Sequence, residues 1–224
     1  MAELDGPRLA PKNGTARQLV VFLHGYGADG NDLIDIGRAW QQALPDAAFV
    51  SPHAPNPCAQ APVGREWFGL TFRDPDERWR GVGTAGPVVE RFLAAELAKH
   101  NLAPNALALV GFSQGTMMAL HVGLRRAVAP AAIVGYSGML VTPKDGPAEA
   151  IAGEITSRPP VLLIHGDQDQ VIPPQALLMS AQGLASIEVP VEWHMSSGIG
   201  HGIDSEGLRH GGEFLAKQFR VRKK

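Results

Sequence analysis

The stretch Ala106-Leu107-Ala108-Leu109-Val110-Gly111-Phe112-Ser113-Gln114-Gly115-Thr116 carries the reading on which the fold turns. Its first half is a continuous apolar run, the mark of a strand buried on both faces. From Gln114 the pattern becomes helical, and the predicted helix runs to about residue 126. Between the two stands a G-x-S-x-G sequence. A serine on so tight a strand-to-helix turn is lifted clear of the backbone, and the flanking glycines relieve the contacts such a turn creates. The helix that starts there aims free N–H groups and its positive dipole end at the position where an oxyanion would form. The five-residue match alone is common; with a strand before it and a helix after it, Ser113 becomes the candidate nucleophile.

Outward from this elbow the chain alternates. Apolar runs at 19–24, 47–50, 131–136 and 161–165 join 106–112 as predicted buried strands, and the more alternating run at 191–195 reads as an edge strand. Between them lie helical patterns. Leu33, Ile36, Gly37, Trp40 and Leu44 share one face, Pro87 is expected to open a helix carrying Val89, Phe92, Leu93 and Leu97, and Pro173 and Pro174 to open another. Asp204 is expected to cap a last helix with Leu208, Leu215 and Phe219 on its buried face. Such alternation predicts an α/β fold with a mostly parallel sheet covered on both faces, and reactive groups on loops at the carboxyl ends of the strands. The expectation is one domain over residues 1–224. One piece breaks the alternation: residues 52–84 are rich in proline and hold Trp67, Phe68, Phe72 and Trp79, which suggests an excursion that covers substrate.

A serine hydroxyl attacks only when a base takes its proton and a carboxylate orients that base. His165-Gly166-Asp167-Gln168-Asp169 ends a predicted strand, and either Asp167 or Asp169 could serve as the orienting acid. Of the eight histidines, His201 lies in the glycine-flanked loop Ser197-Gly198-Ile199-Gly200-His201-Gly202, after the acid. That gives the order serine, acid, histidine expected of an α/β-hydrolase. His24 and His165 read as turn-bracing residues, His194 as a strand residue and His210 as one without supporting context. The turn His24-Gly25-Tyr26-Gly27 follows an early strand, so the oxyanion donors are assigned to the backbone amides of Tyr26 and Gln114. The same glycines lack the Lys-Ser/Thr pair of a phosphate-cradling loop.

Composition narrows the remaining classes. A formal net charge of −2 with no long run of one sign argues against a nucleic-acid partner, and the basic tail of Arg220, Arg222, Lys223 and Lys224 reads as solvated. Cys58 is the single cysteine, so neither an intrachain disulfide nor a paired-thiolate metal site can form. No apolar run approaches the length of a membrane span, and the polar start of the chain lacks a secretory core. The expectation is a cytoplasmic protein, with a homodimer left open.

Taken together these motifs resemble the carboxylesterase and phospholipase family of α/β-hydrolases, which includes acyl-protein thioesterases and bacterial carboxylesterases. The resemblance runs from about Gln18 to Phe219. It rests on the loop from Leu23 to Asn31, on Ser51-Pro52-His53-Ala54-Pro55, on Trp67-Phe68, on the elbow, on His165 to Pro173 and on Gly200-His201. It implies Asp169 as the triad acid, Trp67 and Phe68 as substrate-binding residues, and acyl esters or thioesters as substrates. Neither a metal nor an organic cofactor is implied. A lysophospholipase, lactone hydrolase or peptidase on the same fold is the alternative, with a non-catalytic ligand-binding module further off. Three departures, Gly69 after the aromatic pair, Thr116 after the elbow and the extra piece at 73–79, fall where acyl preference is expected to be set.

Overall fold

The computed structural model describes residues 3–71 and 73–221. Phe72 and three of the four basic tail residues, Arg222, Lys223 and Lys224, lie outside the described residues. Nine strands and five α-helices are laid out along the described residues. The strands are β1 (Arg8–Leu9), β2 (Gln18–Leu23), β3 (Ala47–Val50), β4 (Asn56–Pro57), β5 (Arg65–Glu66), β6 (Leu107–Phe112), β7 (Ala132–Tyr136), β8 (Val161–Gly166) and β9 (Val191–Ser196). The helices are α1 (Asn31–Trp40), α2 (Glu77–Lys99), α3 (Gln114–Gly123), α4 (Gln175–Ser186) and α5 (Ser205–Val221).

Seven strands form the central sheet in the order β1-β3-β2-β6-β7-β8-β9, while β4 and β5 pair only with each other. All neighbours in the large sheet are parallel except β1, which runs against β3. The apolar runs split by alternation, as a sheet covered on both faces requires. Leu19, Val21 and Leu23 of β2 join one core with residues of α2, α3 and α4, whereas Val20 and Phe22 join a second core with α1 and α5. The same split recurs in β6, where Leu109 faces the first core and Val110 the second. Register then positions the loops. Leu23 lies beside Gly111, Gly111 beside Gly135, and Gly135 beside Leu163, so the chain leaves β2, β6, β7 and β8 at nearly one level. The predicted edge strand is the edge strand β9. Asp204 caps α5, its Oδ1 accepting from the Gly207 amide at 2.9 Å.

One predicted helix start is corrected. Pro87 does not open a helix; it lies inside α2, which begins ten residues earlier at Glu77. The sequence Gly81-Val82-Gly83-Thr84-Ala85-Gly86-Pro87 argues for a loop, because interior glycine costs about 1 kcal/mol each and proline about 3. Tertiary packing overrides that. Gly81 lies so close under the Phe68 ring that a β-carbon would stand 2.3 Å from it, and Val82 and Ala85 are buried. The covering excursion therefore ends in a helix, and its described residues before Glu77 are loop and short hairpin. No helix among the described residues is long and apolar enough to cross a membrane.

Candidate active site

The elbow is built around steric exclusion. Ser113 adopts φ 54° and ψ −116°, a left-handed conformation that a non-glycine residue holds only when its surroundings impose it. Both flanking glycines are obligatory. A β-carbon at Gly115 would stand 1.7 Å from the Leu23 carbonyl oxygen, and one at Gly111 would stand 2.4 Å from the backbone of Gly115. The Ser113 amide donates to the Tyr136 carbonyl at 2.8 Å, tying the turn to the neighbouring strand end.

Asp169 and His201 meet across two loops. His201 Nδ1 lies 2.7 Å from Asp169 Oδ2, while the other carboxylate oxygen accepts from the amides of Val171 at 2.8 Å and Ile172 at 3.0 Å. Burial opposes the charge on Asp169, but the His201 ring and the Ile172 and Val171 amides outweigh it and hold the carboxyl below its ordinary value. With Nδ1 turned to the carboxylate, Nε2 of His201 has no hydrogen-bond partner among the described residues. Asp167 has a different task. Its carboxylate accepts from the Gly198 amide at 2.7 Å and the Ser197 hydroxyl at 3.3 Å, fixing the start of the His201 loop. Backbone bonds from Asp167 to Ser196 and from Gln168 to Ile199 seat that loop on the acid loop. The Phe112 ring, next in sequence to Ser113, packs against the His201 ring with centroids 4.9 Å apart, and Ser113 and His201 border the same cleft. No hydrogen bond joins Ser113 to His201 among the described residues; such contacts often tighten only with substrate bound.

His165 and His24 brace their turns. His165 Nε2 faces the Ile172 carbonyl at 2.8 Å and Asp169 Oδ2 at 3.1 Å. His24 contacts the Gly25 carbonyl through Nδ1 and accepts from the Ala54 amide through Nε2, and burial lowers its pKa, consistent with a neutral ring. Tyr26 and Gln114 both border the cleft above Ser113. Gln114 is the first residue of α3, so its amide has no acceptor a turn earlier. Neither amide has a hydrogen-bond acceptor among the described residues.

Trp67 and Phe68 are buried at 1% and 5% exposure and do not line the cleft. They form a tie behind it. The Trp67 indole donates to the His24 carbonyl at 2.9 Å, and the Gln114 side chain accepts from the Trp67 amide at 3.0 Å and donates to the Phe68 carbonyl at 2.7 Å. The two loops that carry Tyr26 and Gln114 are thereby linked through one tryptophan. Thr116 likewise stays out of the cleft. It is fully buried, donates to the Tyr136 carbonyl at 2.9 Å, and fills space left by Gly135 and Gly138.

The cleft itself, roughly 970 Å³, opens beside Ser113 and His201. Among the described residues of the 52–84 excursion, only Leu70 and Arg78 reach it. The other apolar wall consists of Met139, Leu140 and Ala148 beyond β7, with Ile172, Ala176 and Met179 from the acid loop and α4. Sequence reading missed this wall. The available signal was the span 137–160 between β7 and β8, which lacks an α-helix and is as anomalous in length as the excursion that drew notice. Across the mouth Arg78 pairs with Asp145 at 2.6 Å, and the Lys144 amide donates to Asp76 at 3.0 Å.

A parallel sheet with a strained serine elbow and a carboxylate-bound histidine at its carboxyl edge defines an α/β-hydrolase. The comparisons make the class specific: the phospholipase/carboxylesterase family profile matches residues 4–219, and the chain belongs to that family. It is similar to the acyl-protein thioesterase 1 of Gibberella zeae, 27% identical with 95% of each chain covered. It is also similar to the esterase YpfH of Escherichia coli, 26% identical over 87% of this chain and 80% of that one. Among solved structures, esterase PE8 superposes with a TM-score of 0.91 at 43% identity, covering 96% of this chain and 99% of its own. The protein is a hydrolase of the serine carboxylic-ester class.

Proposed function

We propose that this hydrolase cleaves apolar acyl esters or thioesters through an acyl-enzyme formed on Ser113. The Ser113 hydroxyl attacks the carbonyl carbon while His201 Nε2 takes its proton. The carbonyl oxygen gains negative charge and is met by the Tyr26 and Gln114 amides. Collapse expels the alcohol or thiol, which receives the proton from His201. Water then repeats the sequence in reverse and frees the acid. Asp169 keeps the His201 ring in the tautomer that leaves Nε2 open and stabilises the imidazolium that forms.

The observation that carries this reading is the 2.7 Å contact between Asp169 and His201 on a loop that shares one apolar cleft with Ser113. The cleft's size and its methionine- and leucine-lined walls favour an acyl chain over a polar group. A fluorophosphonate should label the protein at Ser113 alone, and a panel of p-nitrophenyl esters and acyl thioesters should be hydrolysed with a preference that climbs with chain length. Labelling at another serine, or a preference for charged acyl groups, would overturn the proposal.

A further inference from the structure

Beyond the cleft, the structure assembles a second chemical cluster from residues that look unrelated in sequence. His194 lies on edge strand β9, and Glu206 and His210 lie one turn apart on α5. One donor atom from each gathers within 4.8 Å of the others. The Glu206 carboxylate is 3.5 Å from His210 Nε2, and the two imidazole rings are 4.4 Å apart. Two donors on a tetrahedral zinc ion stand about 3.4 Å apart, given metal–ligand bonds of about 2.0–2.2 Å, so small side-chain rotations complete the set. His194 Nε2 is buried and has no hydrogen-bond partner among the described residues. A depression of roughly 310 Å³, bordered by both histidines, leaves room for an ion with a water molecule.

We propose that His194, Glu206 and His210 bind a zinc-class divalent cation. Two imidazoles and one carboxylate match that class and leave a fourth position for water, whereas magnesium and calcium prefer all-oxygen sites. One neighbouring cation has to yield: Arg209 Nη2 lies 3.3 Å from His210 Nε2 and 3.9 Å from Glu206 Oε1, and it can withdraw because Nη1 is anchored on Glu213 at 2.7 Å; Lys217 pairs with Glu192 at 3.3 Å. The position of the site gives it a consequence. Its ligands flank the loop 197–204, which carries His201, and the base of that loop is already closed by the bond from Ser196 to Asp204 at 2.8 Å. The cation adds a second fastening between β9 and α5, outside the first.

The test uses the full chain, stripped with a chelator and titrated with Zn2+ by calorimetry. One equivalent should bind, and the melting temperature should rise with zinc concentration. Loss of even a partner behind a ligand costs 10–100-fold in affinity, so His194→Gln and His210→Gln should each weaken binding by at least about tenfold. His100→Gln, on α2's end, should change nothing. Wild-type protein loaded with Co2+ should show the intense visible bands of a four-coordinate ion, a readout that needs no variant. Amide exchange across 197–204 should slow on zinc binding. Absence of saturable uptake, six-coordinate cobalt spectra, uptake unaltered in both histidine variants, or an exchange rate indifferent to bound zinc would each overturn the proposal.

Discussion

On the floor of the cleft, backbone meets backbone. The Gln168 amide donates to the Ile199 carbonyl at 2.9 Å, the Ser113 amide to the Tyr136 carbonyl at 2.8 Å, and Gly115 presses on Leu23 with no space for a side chain. Across the mouth, the two covering segments meet through side chains: Arg78 with Asp145, both partly exposed, and Asp76 with the Lys144 amide. The floor tolerates almost no change because its contacts have no slack. The roof is free to vary, because partly exposed ion pairs contribute only about 0.2–1 kcal/mol each. Under the proposed mechanism, reaction type is accordingly a property of the floor and acyl preference a property of the roof.

Substitutions on the floor should break that division most visibly. Ser113→Ala should lower turnover by up to about a millionfold, read from ester hydrolysis, with the fold retained by circular dichroism. Asp169→Asn should cost about ten-thousandfold, because a neutral partner favours the wrong histidine tautomer. Asp167→Asn, which touches only the loop backbone and Ser197, should stay within about tenfold of wild type. A larger loss at Asp167 would reverse the two acids.

Between floor and roof stands Trp67. Trp67→Ala should destabilise the protein by about 3–5 kcal/mol in denaturant unfolding and depress activity on short and long esters alike, since it ties together the two loops that carry Tyr26 and Gln114. Met139→Ala, on the roof, should instead flatten the rise of kcat/KM with chain length by up to about 0.8 kcal/mol per methylene, with acetate esters unaffected. If Trp67→Ala changes only chain-length preference, the aromatic pair belongs to the substrate wall after all.

Smaller effects sharpen the comparison. The Asp169 carboxyl is held below 3.8 in the folded state, so its contribution to stability is complete above the unfolded value of about 3.9. It is lost as pH falls through the lower folded value. Acid unfolding of wild type should therefore be steeper below about pH 4 than that of Asp169→Asn. Smallest of all, Asp145→Asn should shift stability by less than about 1 kcal/mol in thermal unfolding, the mark of a partly exposed pair.

The same division explains what could be read without coordinates. Strands and elbow were legible because burial on both faces writes continuous apolar runs, and because Gly111 and Gly115 have no substitute. The acid was legible only as one of two, since Asp167 and Asp169 differ in which loop atom they face and not in spacing. Trp67 and Phe68 were legible only in part: aromatic content marks a buried surface without saying whether that surface meets substrate or core. Pro87 misled because local propensity was outvoted by the contact of Gly81 with Phe68. The cluster of His194, Glu206 and His210 was illegible, since only the packing of α5 against β9 brings a strand residue to a helix turn.

The backbone of Ser113, at φ 54°, keeps about 1–3 kcal/mol that a relaxed turn would return. Glycine at this position would recover it and, under the proposed mechanism, end the reaction. A laboratory selection that rewards heat resistance alone would thus drift toward an inert, tougher protein, and only a simultaneous demand for turnover keeps the serine in place.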